Sequence, residues 1–324
     1  MNCIKKLFEI ERSPRRGLLT LEWVMLAYMA LTLLIILFTY TKVEHPQAMI
    51  WGRARIVAMT VAMLIVYRLI PCRFTLCARI SAQMLLLAWW YPDTYEFNRM
   101  FPNLDHIFAT AEQSIFGFQP ALTFAAHLPS VVASELMNMG YASYYPMIAL
   151  ITYFYFFRRY GEFERVTAVI MAAFFISYVM YIFIPVAGPT FYYKAIGLEN
   201  AARGIFPNIH DYFNTHTDCL PTPGYADGVF YHMVESAKAA GERPTAAFPS
   251  SHVSIATLCI CLALHARSRG LVLFLLPFYV LLCFATVYIQ AHYAIDAIAG
   301  LIVGLLFYAG LMFATRSMKK TGVR

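Results

Sequence analysis

Residues 292–315 read HYAIDAIAGLIVGLLFYAGLMFAT. A helix that crosses a bilayer needs about 20 mostly apolar residues at ~1.5 Å each, and the run from 293 to 315 supplies them. Its charged residue, Asp296, stands at the start, four positions after His292. The stretch therefore reads as a membrane helix carrying a histidine and a carboxylate at one mouth.

Working outward, the same criterion finds further apolar runs at 17–40, 56–70, 76–91, 130–157, 166–186, 252–266 and 271–290. With 293–315 this predicts an all-α polytopic membrane helix bundle of about eight spans. Composition agrees: 60% of residues are hydrophobic, 13% are charged and mean hydropathy is +0.59. An ordinary soluble domain has roughly a quarter charged residues. The first run begins after Arg15-Arg16 and lacks a small-residue cleavage site, so it reads as a retained helix.

The net charge of +7 is not a nucleic-acid footprint, because the basic residues fall in short clusters between apolar runs. With the N-terminus inside, the inner segments hold Lys5, Lys6, Arg12, Arg15, Arg16, Arg68, Arg73, Arg79, Arg158, Arg159, Arg165, Arg267, Arg269, Arg316, Lys319, Lys320 and Arg324. Most of the 25 basic residues thus lie on one side, and both termini are expected to be cytoplasmic. Arg53 and Arg55 are local exceptions. The cysteines form no CxxC pattern, and Cys219, in a long polar loop, reads as a free thiol.

Two outer segments are more than simple connections. In 92–129 the stretch LDHIFATAEQSIFGF repeats Leu104, Ile107, Phe108, Ala111 and Ile115 at helical spacing, which predicts an amphipathic helix at the interface with Asp105 and Glu112 on its solvated face. The segment 187–249 begins GPTFYYK and is rich in Pro, Gly and Tyr, as a packed functional loop would be. Glu135, near the outer end of the 130–157 run, is an ionisable group open to either a functional or a pairing role. Trp89-Trp90-Tyr91 and Tyr144-Tyr145 read as interfacial belt or packing.

Three constellations fall on the outer face in this topology: Arg243-Pro244, FPSSH at 248–252, and HYAID at 292–296. His292 and Asp296, at i and i+4, project from one side of a helix end, where the carboxylate is able to accept a hydrogen bond from one imidazole nitrogen and leave the other as a nucleophile. The same spacing suits a structural ion pair. Ser250, Ser251 and the free amides of a helix start form an anion site, with His252 placed to protonate a leaving alkoxide. A plain serine cap beside an interfacial histidine has the same composition. Arg243, and more weakly Lys238, offer positive charge for phosphate oxygens. From residue types alone, an ion path and a metal site built from His252, His292 and Asp296 also stay open.

In order, RP, PSSH and HxxxD resemble the type 2 phosphatidic acid phosphatase (PAP2) superfamily, whose signatures run K-x6-RP, PSGH and SR-x5-H-x3-D. The resemblance implies a PAP2-like helical core with His292 as nucleophile toward phosphorus, Asp296 as its orienter and His252 as general acid, then base. Arg243, Ser250 and Ser251 would hold phosphate, with no cofactor and no metal. Three departures stand out: four residues rather than six separate Lys238 from Arg243, Ser251 replaces Gly, and Ala285-Thr286 replaces the SR pair. ATVYIQAHYAID instead resembles the inositol phosphorylceramide synthases, as does, more loosely, FGFQP at 116–120. That likeness implies transfer of a phospho-headgroup from a phospholipid donor to a lipid alcohol such as ceramide. The alternative is a lipid phosphate or polyprenyl pyrophosphate phosphatase. The expected organisation is membrane helices and interfacial helix over 1–129, catalytic core over 130–316 and a cytoplasmic tail over 317–324. Compact termini favour a bacterial inner membrane with the site on the periplasmic face.

Overall fold

The computed structural model describes residues 6–11 and 14–318. Cys3, Lys5, Arg12, Lys319, Lys320, Arg324 and most of the tail lie outside the described residues. The protein is nearly all helical, with no strand among the described residues. Helices α1 (Thr20–Phe38), α2 (Pro46–Leu69), α3 (Arg73–Leu85) and α4 (Leu87–Asn98) lead into α5 (Asp105–Phe116) and α6 (Pro120–His127). Then come α7 (Val131–Ala142), α8 (Tyr144–Arg158) and α9 (Tyr160–Phe183). The outer loop carries α10 (Pro189–Ile196), α11 (Leu198–Ala202) and α12 (Val229–Gly241), and the chain ends with α13 (Ser251–His265), α14 (Arg269–Tyr288) and α15 (Ala294–Ala314).

Among the described residues five helices, α1, α2, α9, α14 and α15, are long and apolar enough to cross a membrane. The apolar helix α13 is shorter, and two of the expected runs are broken. The run at 76–91 divides at Leu86, and that at 130–157 divides at Ser143. Pro146 explains the second break: its ring nitrogen has no hydrogen for the Ala142 carbonyl, and the Ser143 hydroxyl turns back to Gly140 O at 2.6 Å.

Helix α2 begins ten residues before the expected 56–70 run and takes in Arg53. That arginine is buried, donates to Asp93 at 2.7 Å and to Met49 O at 3.0 Å, and lies against the Trp90 ring. Arg53 is thus a paired interior charge, which is why it escapes the loop rule for basic residues.

Helix α9 is the axis of the bundle. Its apolar window is 72% buried, against 28–33% for the other four long helices, as expected of a helix apolar on every side. It packs against α1, α4, α8, α13 and α15. Helices α13 and α15 approach most closely through Gly300 and Gly304: a Cβ at Gly300 would lie 2.7 Å from Ser250 O, and one at Gly304 2.5 Å from Ser254 O. Small residues four apart let two membrane helices meet backbone to backbone. The consequence is local: the start of α13, with Ser250 and His252, is pressed against the start of α15, with Asp296.

Candidate active site

Three segments converge at this end of the bundle: 184–188 after α9, 245–252 before α13, and 286–296 between α14 and α15. Backbone hydrogen bonds fix their mutual position. Ala247 N donates to Val186 O at 2.9 Å, Thr190 N to Gln290 O at 2.8 Å, Ser250 N to Asp296 O at 3.1 Å and His292 N to Thr286 O at 3.0 Å. Gly188, at φ +94°, comes so near the third segment that a Cβ would stand 2.6 Å from Ala291 O. Two non-glycine residues, Ala246 at φ +71° and Gln290 at φ +63°, hold left-handed backbone just before Ala247 and His292, a strain of about 1–3 kcal/mol each that the surrounding structure must sustain.

His292 is buried, and its Nδ1 lies 2.8 Å from the carbonyl oxygen of Ala247. A carbonyl only accepts, so Nδ1 carries the hydrogen and Nε2 keeps its lone pair. Burial pushes the imidazole down to about 4, with the Ala247 carbonyl opposing the shift, so the ring is neutral near neutrality. Asp296 does not make the hydrogen bond expected of it. Its Oδ2 is 3.9 Å from Nδ1 and accepts instead from Tyr293 N at 2.9 Å, capping α15. The other oxygen, Oδ1, is buried without a hydrogen-bond partner among the described residues.

His252 Nδ1 faces His292 Nε2 at 3.4 Å. Its ring is stacked on Tyr141 and packed against Tyr144, with centroids 4.5 and 4.4 Å away. Tyr144, read from sequence as belt or packing, thus lies against a candidate catalytic side chain. Ser250 is the N-cap of α13: its Oγ accepts from Val253 N at 3.3 Å. Ser251 is half-buried and opens the helix, while Arg243 is exposed just upstream. Lys238 is turned elsewhere. Its ammonium donates to Leu220 O at 3.1 Å, Thr222 Oγ1 at 3.1 Å and Glu235 Oε1 at 3.2 Å, which uses all three hydrogens. These bonds tie α12 to the 220–222 stretch of the outer loop.

A family model described as the PAP2 superfamily matches residues 105–310 of this chain. The chain belongs to the PAP2 superfamily. Members are phosphatases or phosphotransferases, and a membrane-embedded one fits lipid substrates. No curated protein and no solved structure matches the chain.

The PAP2 match begins at Asp105, and there the structure corrects the sequence reading. Helix α5 forms as expected, but it is turned over: Asp105 and Glu112 are fully buried, while Ile107 and Ile115 are exposed. Asp105 accepts from Ala187 N at 2.7 Å, Gly188 N at 2.8 Å, Asn103 Nδ2 at 2.6 Å and Tyr293 Oη at 3.0 Å. Glu112 accepts from Ala294 N at 2.5 Å, at the first position of α15. Burial raises both carboxyls, Glu112 to about 7, and the hydrogen bonds they accept oppose it. Amphipathic spacing shows that two acids share a face, not which way the face points. The available signal was Asn103 two residues before Asp105, a pair that forms its own turn.

Glu135 caps α12, accepting from Phe230 N at 3.1 Å and Tyr231 N at 3.2 Å, so its role is structural. Cys219 is a free thiol. Among the described residues no three His, Cys, Asp or Glu side chains are arranged to hold a metal ion.

Proposed function

We propose that this PAP2 protein is a lipid phosphotransferase that moves a phospho-headgroup through a phosphohistidine on His292. The observation that carries the reading is the tautomer of His292: with Nδ1 committed to Ala247 O, the nucleophilic lone pair is on Nε2 and faces His252. Nε2 attacks phosphorus, the bond from phosphorus to the lipid oxygen breaks, and that oxygen takes its electron pair and a proton from His252 in its imidazolium form, which the bound phosphate anion favours. In the second half, His252 accepts the proton of an incoming alcohol, whose oxygen attacks phosphorus as the P–N bond returns its pair to Nε2.

In-line displacement places nucleophile and general acid on opposite sides of phosphorus, about 6 Å apart. The two imidazole nitrogens stand at 3.4 Å, so substrate entry separates them. The half-buried His252 ring slides against the faces of Tyr141 and Tyr144 to make that space. Arg243, with the amides of Ser251 and His252 at the helix start, is the anion-binding side of the site.

Two features favour a lipid alcohol over water as acceptor. Thr286 stands where the phosphatase signature has arginine; it is fully buried and its hydroxyl bonds Cys283 O at 2.9 Å. The outer loop also packs against segments that hold the site: Ala187 shares one apolar cluster with Phe191 and Phe213, and Ala247 and Tyr293 share another with Tyr192 and Tyr193. Apolar packing around these segments disfavours water at the phosphoenzyme. The likeness of 285–296 to inositol phosphorylceramide synthases suggests phosphatidylinositol as donor and ceramide as acceptor. The distribution of Lys and Arg supports cytoplasmic termini and a site on the opposite, outer face.

The test is purified protein in liposomes, given phosphatidylinositol with and without ceramide. Headgroup appearing on ceramide supports the transferase. Phosphate released from simple lipid phosphates, with no acceptor-dependent product, identifies a phosphatase.

A further inference from the structure

We propose that Asp105 and Glu112 are positioning residues for the nucleophile: α5 holds from outside the bundle the two loops that fix the orientation of His292. The proposal rests on the reading of His292 as nucleophile and goes beyond the motif residues, none of which lies on α5.

The connection runs through short hydrogen bonds. Asp105 Oδ2 accepts from Ala187 N at 2.7 Å and Oδ1 from Gly188 N at 2.8 Å, which pins segment 184–188. The next bond inward is Ala247 N to Val186 O at 2.9 Å, and the opposite face of that residue, Ala247 O, accepts from His292 Nδ1 at 2.8 Å. The carboxylate thus reaches the imidazole through the 186–187 peptide of one loop and the single residue Ala247 of the other. It reaches the same histidine from the other side through Tyr293, whose hydroxyl donates to Asp105 Oδ1 at 3.0 Å. Glu112 completes the hold by accepting from Ala294 N, two residues after His292.

This arrangement also accounts for Asp296. Its Oδ2 caps Tyr293 N and does not reach His292 Nδ1 within hydrogen-bond distance, so the imidazole is oriented by a backbone carbonyl. A carbonyl in a loop is only as well placed as the loop, and Ala246 beside it is held at φ +71°. Two buried carboxylates with five donors between them supply that placement. The position of α5 adds to the argument. Its outward face shows Ile107 and Ile115, apolar surface suited to lipid, so its inward face is free to carry acids. An interfacial helix facing inward for solubility alone would show the reverse.

The prediction separates positioning from mere folding. Glu112→Ala and Asp105→Ala lower the rate of phosphoenzyme formation at saturating donor by about a hundredfold, the order expected for a nucleophile displaced by about 1 Å, with KM changed less than about threefold. Glu112→Gln retains an acceptor for Ala294 N and recovers the rate to within about tenfold of wild type. Asp105→Asn offers an amide to backbone N–H groups in place of an oxygen, and stays impaired. If the alanine variants fail to fold, the two amide variants carry the test.

A substrate-free readout accompanies the kinetics. In NMR of isotope-labelled imidazole, assigned by loss of the signal in His292→Ala, wild type shows His292 protonated at Nδ1, and Asp105→Asn shows a mixture of tautomers. Folded Asp105→Asn and Glu112→Ala proteins with rates within about threefold of wild type and an unchanged tautomer would overturn the proposal. Full activity in His292→Ala would instead defeat the nucleophile reading, leaving the tautomer measurement to judge the brace alone.

Discussion

His292 donates from Nδ1 to the carbonyl oxygen of Ala247 at 2.8 Å, while Asp296 Oδ2, four residues along the chain, stays 3.9 Å from the same nitrogen. The tautomer of His292, the proposed nucleophile, is therefore set by a backbone group 45 residues away, and the carboxylate of the HxxxD motif is the cap of the helix that follows.

Replacing Asp296 tests that division of labour. Asp296→Asn keeps an oxygen able to cap Tyr293 N, so it is expected to slow turnover by about tenfold or less, a barrier change of about 1.4 kcal/mol. Steady-state rates with a fluorescent lipid donor give the answer. A loss beyond a thousandfold would mean that the carboxylate moves onto Nδ1 during the reaction.

The pH dependence follows from the buried imidazole. A base whose pKa is lowered stays neutral until the pH falls through the shifted value, so Nε2 of His292 keeps its lone pair from neutrality down to about 4. Phosphoenzyme formation measured against pH should show no acid limb belonging to His292 near the ordinary value of ~6.5. Titration of the isotope-labelled His292 ring supplies the assignment; a midpoint near ~6.5 would contradict its burial.

How much of this was legible from the chain depends on which interactions are local. Hydropathy and the i, i+4 pair located the helices and brought His292 to the mouth of α15, because both depend on neighbours in sequence. His252 beside His292 followed from motif order. The orientation of α5 did not, since three of the four partners of Asp105 lie 82 to 188 residues away, and no periodicity encodes them. Arg53 escaped for the same reason, its counter-ion being 40 residues distant. The partners of Lys238 were not legible either, because two of them, Leu220 and Thr222, lie 18 and 16 residues away in the outer loop.

Lys238 and Arg243 should now behave differently. Lys238 has all its hydrogens on Leu220, Thr222 and Glu235, so Lys238→Met is expected to lower the thermal midpoint by a few degrees and change KM by less than about threefold. Arg243→Ala should raise KM for the phospholipid donor about tenfold, as loss of a charge-assisted contact costs roughly 1.5 kcal/mol. Equal effects on KM would place Lys238 back at the phosphate.

Close helix packing makes its own prediction. Gly300→Val puts a Cβ at 2.7 Å from Ser250 O and branches it further, which forces α13 away from α15 at a cost of about 1–3 kcal/mol or more. Activity should fall with the thermal midpoint, and Gly310→Val, where a Cβ meets open space, should leave both near wild type. An active, stable Gly300→Val protein would show that the two helix starts need not touch.

The most direct test of the central claim is to trap the phosphorylated enzyme. Labelled donor mixed with purified protein, quenched in alkali and digested, should yield an acid-labile phospho-headgroup attached through phosphorus to Nε2 of His292, absent from His292→Ala, which should keep less than about a tenth of the wild-type rate because losing a nucleophile removes several kcal/mol of barrier lowering. Turnover by His292→Ala above that level, or rapid transfer by wild type with no phosphohistidine, would contradict the account.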